Sequence, residues 1–193
     1  EIISRSEAIQ WFDLDHVGKS PARFDFAKLT NLNGHYMREA EDEKLVALLL
    51  PFLEANDGLS VDSEARDLLK RGMPGLKDRA KTMLELAEAC LFYIAPQPLD
   101  ENAFKILNEE GLGLLSLMIE ALSAFPEPSW SEESLEHLAR EVAEKQGIKL
   151  GKLAQPLRAA LTGKNISPSV FEIMHVLGKD RTLERLGKTN FSV

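Results

Sequence analysis

Two arginines of this chain stand beside predicted helix ends, where guanidinium groups are well placed to bind phosphates or base edges. Arg158 lies in the stretch 149–163, one residue past Leu157. Arg79 comes just before the mostly apolar stretch 82–94, which predicts a helix held in a core. Because an oriented guanidinium beside a helix N-terminus suits phosphate or base-edge recognition, Arg158 is a candidate nucleic-acid contact. On the residues alone, a solvated surface arginine is the more common situation.

Charge is divided unevenly along the chain. Residues 149–193 hold eight Lys and Arg against three Asp and Glu, a net charge of +5, whereas the whole chain carries −8. The first 148 residues therefore carry −13. A second basic stretch, residues 66–81, has six Lys and Arg against two Asp. The net charge of −8 argues against a non-specific nucleic-acid binder, whose affinity comes mostly from neutralised phosphates. The two basic stretches still allow a specific RNA reader with local basic faces.

Several other classes of site are disfavoured. No histidine lies three or four residues from another histidine or from the single cysteine, so a metal site is not expected. Cys90 lies in an apolar segment, which predicts a buried, inert thiol. No phosphate-binding glycine loop is present. No apolar run is long enough to cross a membrane and the first residues do not form a signal peptide, so we expect a cytoplasmic protein.

The elements that would position the arginines are all predicted to be helices. No run of alternating β-branched residues bounded by turns occurs, so the predicted fold class is all-α. Asp25 and Ser131 fit the N-caps of two helices. Helical spacing places Phe26, Leu29 and Tyr36 on the inner face of the helix after Asp25. A further helix over 64–70 is expected to end at the glycines and proline of 72–75.

The stretch 149–163 carries a helical leucine stripe that a proline interrupts. Its leucines recur at positions 150, 153, 157 and 161. Because Pro156 lacks a backbone donor, we expect two short helices that meet near residue 155. Gly163 is expected to end the second helix, and Ser167-Pro168 to cap a third that includes Val170.

Three segments resemble bacterial glutamyl-tRNA synthetases. The stretch 149–163, followed by Ser-Pro-Ser-Val-Phe-Glu at 167–172 and Val-Leu-Gly at 176–178, resembles that family's anticodon-binding region. Residues 12–38, which begin Phe-Asp-Leu-Asp-His-Val, resemble the segment after its catalytic core. Asp-Arg-Ala-Lys-Thr at 78–82 resembles a turn in its first anticodon-binding helical cage. The resemblance covers nearly the whole chain in the family's order.

The resemblance implies a domain plan and a partner. It implies a stem-contact segment at 1–54 and two anticodon-binding helical subdomains at 55–128 and 129–193. The implied partner is tRNA(Glu), bound by a monomer that has no affinity for DNA. ATP and magnesium would serve the parent glutamate-tRNA ligase, with no cofactor in this part of it. The family's two nucleotide-binding signatures are absent, so we expect that this chain alone does not form glutamyl-adenylate.

The resemblance also implies roles for individual residues. Arg79 takes the position of an arginine that reads the third anticodon base, in the branch that rejects tRNA(Gln). Arg158 would surround the first two bases, with Ser167, Pro168 and Val170. The residues implied to contact the tRNA backbone near the inner corner of the L are Lys19, Arg23, Lys28 and Arg38. The sequence departs from the family at Ser169, where a glycine is common, and the loop there is expected to be tighter.

Two other readings stay open from the residues. A helical protein-interaction module would use the acidic first 148 residues to hold a basic partner. A DNA-binding helix-turn-helix is disfavoured because the acidic part has no basic recognition helix.

Overall fold

The computed structural model describes residues 2–21, 23–55 and 59–189. These ranges contain α-helices, two short 3-10 helices and no strand, which confirms the all-α prediction. None of the helices in this part has the length and apolar content that crossing a bilayer requires. The helices are α1 (Arg5–Trp11), α2 (Phe26–Glu39), α3 (Asp42–Glu54), α4 (Ser63–Lys77), α5 (Met83–Ile94), α6 (Glu101–Ile106), α7 (Glu109–Ala124), α8 (Glu132–Lys145), α9 (Leu150–Thr162), α10 (Val170–Leu177) and α11 (Lys179–Thr189), with 3-10 helices at Leu14–His16 and Glu127–Ser129.

Side-chain caps begin most of these helices. The predicted caps Asp25 and Ser131 are confirmed, since each accepts a hydrogen bond from a backbone N–H of the first turn. The prediction for α10 is wrong, because its cap is Ser169, whose hydroxyl accepts from the N–H of Glu172 at 3.4 Å. Ser167 is engaged elsewhere: its hydroxyl donates to the carbonyl of Pro168 at 2.8 Å.

Prolines inside α4 and α9 do not end these helices, and both predicted breaks are wrong. Pro156 lies within the single helix α9, and Pro74 lies within α4, which continues to Lys77. An interior proline costs about 3 kcal/mol. Fully burying one leucine stabilises by about 1.5–3 kcal/mol, and Leu153 and Leu157 are both fully buried on either side of Pro156. Core packing therefore outweighs the local signal.

The N-terminal segment stands off from the core. α1 has no buried residue, and Phe26 at the start of α2 is 74% exposed. The prediction that Phe26, Leu29 and Tyr36 face inward is therefore wrong. α2 buries Gly34 and Met37 instead, because only its C-terminal half packs on the body, where it contacts α4.

One continuous cluster of buried residues extends from Met37 in α2 to Leu186 in α11. It crosses the predicted boundaries at 54/55 and 128/129, so the three-part division stays a prediction about subdomains. The indole N–H of Trp130 donates to the carbonyl of Met174 at 2.8 Å and ties α10 to the segment before α8. Cys90 is fully buried as predicted, and burial raises the pKa of its thiol to about 12.

Two glycines of α4 allow its neighbours to approach closely. A Cβ at Gly72 would come within 2.6 Å of Cζ of Tyr93 in α5. A Cβ at Gly75 would come within 2.6 Å of the carboxyl carbon of Glu172 in α10. A larger residue at position 72 must displace the buried Tyr93 ring, whereas at position 75 the carboxylate end of the Glu172 side chain must move.

Gly72→Ala is expected to lower the free energy of unfolding by about 1–3 kcal/mol, since the methyl group overlaps the buried Tyr93 ring. Gly113→Ala is the matched control, because the exposed position 113 in α7 has open space around it. There the better helix propensity of alanine should stabilise by up to about 1 kcal/mol. Urea denaturation measures both changes, and a shift of the same sign in both variants would contradict the close packing at Gly72.

Candidate nucleic-acid interface

Arg158 is held in a half-buried position on α9. Its neighbours Leu157 and Ala159 are fully buried, which fixes the helix beneath it. The Nε–H of Arg158 donates to the hydroxyl of Ser167 at 3.0 Å. Within the described ranges no residue accepts a hydrogen bond from its two terminal Nη groups. The guanidinium is therefore oriented on one edge and open on the other.

Arg79 lies on the turn 78–82 between α4 and α5. A reciprocal cap holds this turn: the N–H of Glu85 donates to Thr82 at 3.2 Å, and the carboxylate of Glu85 accepts from the N–H of Lys81 at 2.7 Å. The backbone N–H of Arg79 donates to the carbonyl of Leu76 at 3.1 Å. Its exposed side chain has no hydrogen bond or ion pair to another described residue.

The two guanidinium groups lie near each other. Burial lowers the pKa of Arg158, and the positive charge of Arg79 lowers it further. Arginine nevertheless stays charged in proteins, so the site holds two nearby cations, neither of which forms an ion pair with a described carboxylate. Such an arrangement attracts an anionic or electron-rich ligand.

A pocket of about 500 Å³ opens beside Arg79, a size in the range of small-ligand sites. It reaches Ser167, the hydroxyl that orients Arg158. Its apolar walls are Leu76, Leu91, Phe92, Pro98, Leu99, Ile166 and Pro168. Apolar walls beside charged donors can hold the face of a nucleobase and hydrogen-bond its edge.

The loop 163–169 is fastened to the connector before α6. Gly163 has φ of 73°, and its carbonyl accepts from the N–H of Asp100 at 2.9 Å. A Cβ at this position would come within 3.1 Å of the carbonyl oxygen of Gln97. Glycine is thus required both by the left-handed conformation and by the close contact. This fixes the loop that carries Ser167 and Pro168.

The Glu172 carboxylate of α10 lies against Gly75 of α4, near the charge of Arg79. Burial raises the pKa of its carboxyl group, and the nearby Glu132 adds to the rise. The backbone of Gly75 and the charge of Arg79 act in the opposite direction. The buried hydroxyl of Tyr93 has no hydrogen-bond partner among the described residues, and Glu172 together with burial raises its pKa.

The other sequence-predicted residues lie outside the pocket. Val170 is 1% exposed, and its side chain belongs to the core. The four basic residues of the N-terminal segment are exposed on its surface: Lys19, Arg23, Lys28 and Arg38. The structure connects that segment to the turn of Arg79, because Asn33 donates to the carbonyl of Lys81 at 2.6 Å and Lys81 donates to Asn31 at 3.0 Å.

Sequence reasoning missed several pocket residues. Neither Lys164 nor Ile166 is among the residues that the sequence pointed to, although both line the pocket. A cation two residues from an exposed apolar residue in one short loop is a signal that could have found them. Glu88 and Phe92 carried no such signal, because only the fold brings α5 next to this loop.

Glu172→Gln is expected to stabilise the chain at neutral pH, because it removes a charge that burial disfavours. With a raised pKa, the folded state binds a proton more tightly than the unfolded state, so the gain should shrink as the pH falls through the folded pKa. Urea denaturation at pH 7 and pH 5 measures this. Glu88→Gln is the opposite control. Lys164 lowers the pKa of Glu88, so loss of this carboxylate should destabilise by at most about 1 kcal/mol, with the full effect above the unfolded pKa and none below the folded pKa. Equal signs for the two variants would contradict this account.

Comparisons with known proteins agree on one family. Residues 44–190 match the model of the family described as "Anticodon binding domain". The chain is similar to glutamate--tRNA ligase 2 of Rhodospirillum rubrum, with 50% identity over 188 residues that cover 96% of this chain and 40% of that one. It is also similar to glutamate--tRNA ligase 1 of Sphingopyxis alaskensis, with 51% identity over 96% of this chain and 38% of that one.

A solved structure shows the same fold. The crystal structure of a glutamate tRNA ligase from Elizabethkingia meningosepticum superposes with a TM-score of 0.81 at 29% identity, over 99% of this chain and 37% of that one. The chain thus spans about two fifths of the length of the relatives it matches. The resemblance found in the sequence is confirmed.

Proposed function

Because the chain belongs to the family of anticodon-binding domains, we propose that it binds the anticodon of tRNA(Glu) as part of a glutamate-tRNA ligase. The observation that carries this is the pair of neighbouring arginines, Arg79 and Arg158, with open N–H groups beside an apolar pocket. In the whole enzyme, attachment of glutamate to tRNA(Glu) with ATP would belong to the remaining part. This chain would check the identity of the tRNA.

The chemistry of the site suits base reading. Ser167 holds one edge of the Arg158 guanidinium, so its open Nη groups point in a set direction and can donate to the edge of an unpaired base. Arg79 would donate to the third anticodon base. A base that offers a donor in place of an acceptor would leave the guanidinium unpaired, which is how polar sites reject wrong ligands.

The N-terminal segment would contribute position rather than identity. Its exposed Lys19, Arg23, Lys28 and Arg38 would contact phosphates of the tRNA stem, since such contacts fix register without reading sequence. The attachment of α2 to the turn of Arg79 supports this role, because it would relate the stem contact to the anticodon contact. A cytoplasmic location, a monomeric state and a lack of affinity for DNA stay predictions.

Arg158→Ala and Arg79→Ala should each weaken binding of tRNA(Glu) by about 1–3 kcal/mol, because each removes a donor to a base edge. Fluorescence anisotropy with labelled tRNA(Glu) at two salt concentrations measures the loss. The matched control is Arg140→Ala, an exposed arginine of α8 that pairs with Glu136 and lines no part of the pocket. Unchanged affinity in both arginine variants would reject the site. Absence of RNA binding even at low salt would favour the protein-interaction module.

Arg79→Gln in the full-length ligase should reduce the preference for tRNA(Glu) over tRNA(Gln), since the two tRNAs differ at the third anticodon base. The measurement is the ratio of kcat/KM for charging the two tRNAs. Arg140→Gln is the control and should leave the ratio unchanged. A ratio that stays the same in Arg79→Gln would refute the reading of the third base by Arg79.

A further inference from the structure

We propose that Lys164 binds a phosphate of the RNA at the mouth of the pocket, and that its ammonium group forms an ion pair with Glu88 when no RNA is bound. The inference rests on the proposed function. It adds Lys164 to the same site as a phosphate contact, and Glu88 as a carboxylate that competes with the phosphate for Lys164. Neither residue belongs to the set that the sequence pointed to.

The two residues form an ion pair across the mouth of the pocket. Nζ of Lys164 lies 2.6 Å from Oε1 of Glu88, and both residues line the pocket. Glu88 lies on α5, whereas Lys164 lies in the loop between α9 and α10. The side chain of Lys164 is 45% exposed and that of Glu88 is 70% exposed, so water reaches the pair. The ion pair is therefore open to solvent and borders the pocket.

The backbone at Lys164 is held in place, but its side chain can change partner. Its backbone N–H donates to the hydroxyl of Thr162 at 3.2 Å, and the preceding Gly163 is fastened to Asp100. The four-carbon stem can turn its ammonium group from Glu88 to another anion close by. Because exposed ion pairs contribute little to stability, exchanging a carboxylate for a phosphate costs little.

The surroundings favour the phosphate of an unpaired nucleotide over a free anion. Ile166, two residues from Lys164, is 72% exposed and forms part of the apolar wall. A base that enters the pocket can stack on Ile166 and Pro168 while its own phosphate stays at the mouth. Arg79 lies on the same pocket, so the edge of the base and its phosphate meet separate cations.

Glu88 then opposes any RNA phosphate that approaches Lys164. Any phosphate that approaches Lys164 must first replace this carboxylate and come close to its negative charge. A nucleotide that fits the pocket gains the apolar and guanidinium contacts in compensation. A bare backbone lacks these contacts, so the same penalty leaves it more weakly bound than tRNA(Glu).

A double-mutant cycle tests this pair by anisotropy with tRNA(Glu) and with an unrelated tRNA as probes. Lys164→Ala should weaken binding of tRNA(Glu) several-fold and reduce the slope of log K against log salt by about 1. Glu88→Gln should strengthen the binding of both tRNAs several-fold, because both bring a phosphate to Lys164. In the Lys164→Ala background the same change should have little effect. Lys164→Arg should restore the salt slope.

Glu136→Gln is the matched control, since Glu136 also pairs with a basic residue, Arg140, but lies outside the pocket. Equal gains from Glu88→Gln and Glu136→Gln would mean a general charge effect and would overturn the inference. An unchanged affinity and slope in Lys164→Ala would do the same. If Arg158→Ala still weakens binding in that case, the proposed function survives and only the role of Lys164 is rejected.

Discussion

The close approach of α5 and α10 to α4 is the constraint on which the site depends. Gly72 accepts the ring of Tyr93, and Gly75 accepts the carboxylate of Glu172. α4 ends in the turn that carries Arg79. α10 follows the loop that carries Ser167, whose hydroxyl accepts the hydrogen bond that orients Arg158. Helices that stood further apart would separate the two guanidinium groups and would widen the pocket beside Arg79. Small residues in the middle of one helix thus determine the geometry at its end.

Some groups at this junction oppose stability. Two arginines stand close together without an ion-paired carboxylate, and Glu172 is held where burial disfavours its charge. The hydroxyl of Tyr93 is buried without a hydrogen-bond partner in the described part of the chain. Unfavourable arrangements of this kind are expected where a site is shaped for a ligand rather than for folding alone. The fully packed core beneath them, from Met37 to Leu186, offsets these costs.

Local chemistry made the helices predictable, whereas the roles of Arg79 and Arg158 came from the resemblance to a family and stay predictions. Caps such as Asp25 act within one turn, so the sequence around them is sufficient. The break predicted at Pro156 was wrong because the burial of Leu153 and Leu157, which keeps α9 continuous, depends on the tertiary fold. α2 misled for a similar reason: an apolar stripe identifies a helical face but does not say whether anything covers it, and Phe26 faces water. Lys164 and Glu88 are 76 residues apart, and only tertiary structure reveals that pair.

The sealed position of Cys90 is part of a wider distribution of sulfur in the molecule. Met73, Met118 and Met174 are also fully buried, and Met37 nearly so, which leaves Met83 as the one partly exposed sulfur side chain. Peroxide and other dissolved oxidants attack thiolates and accessible thioethers. This chain presents them with almost no target, and the proposed base-reading contacts use no sulfur. Its folded form should therefore keep its contacts with nucleotides unchanged through an oxidative burst that inactivates thiol-dependent enzymes.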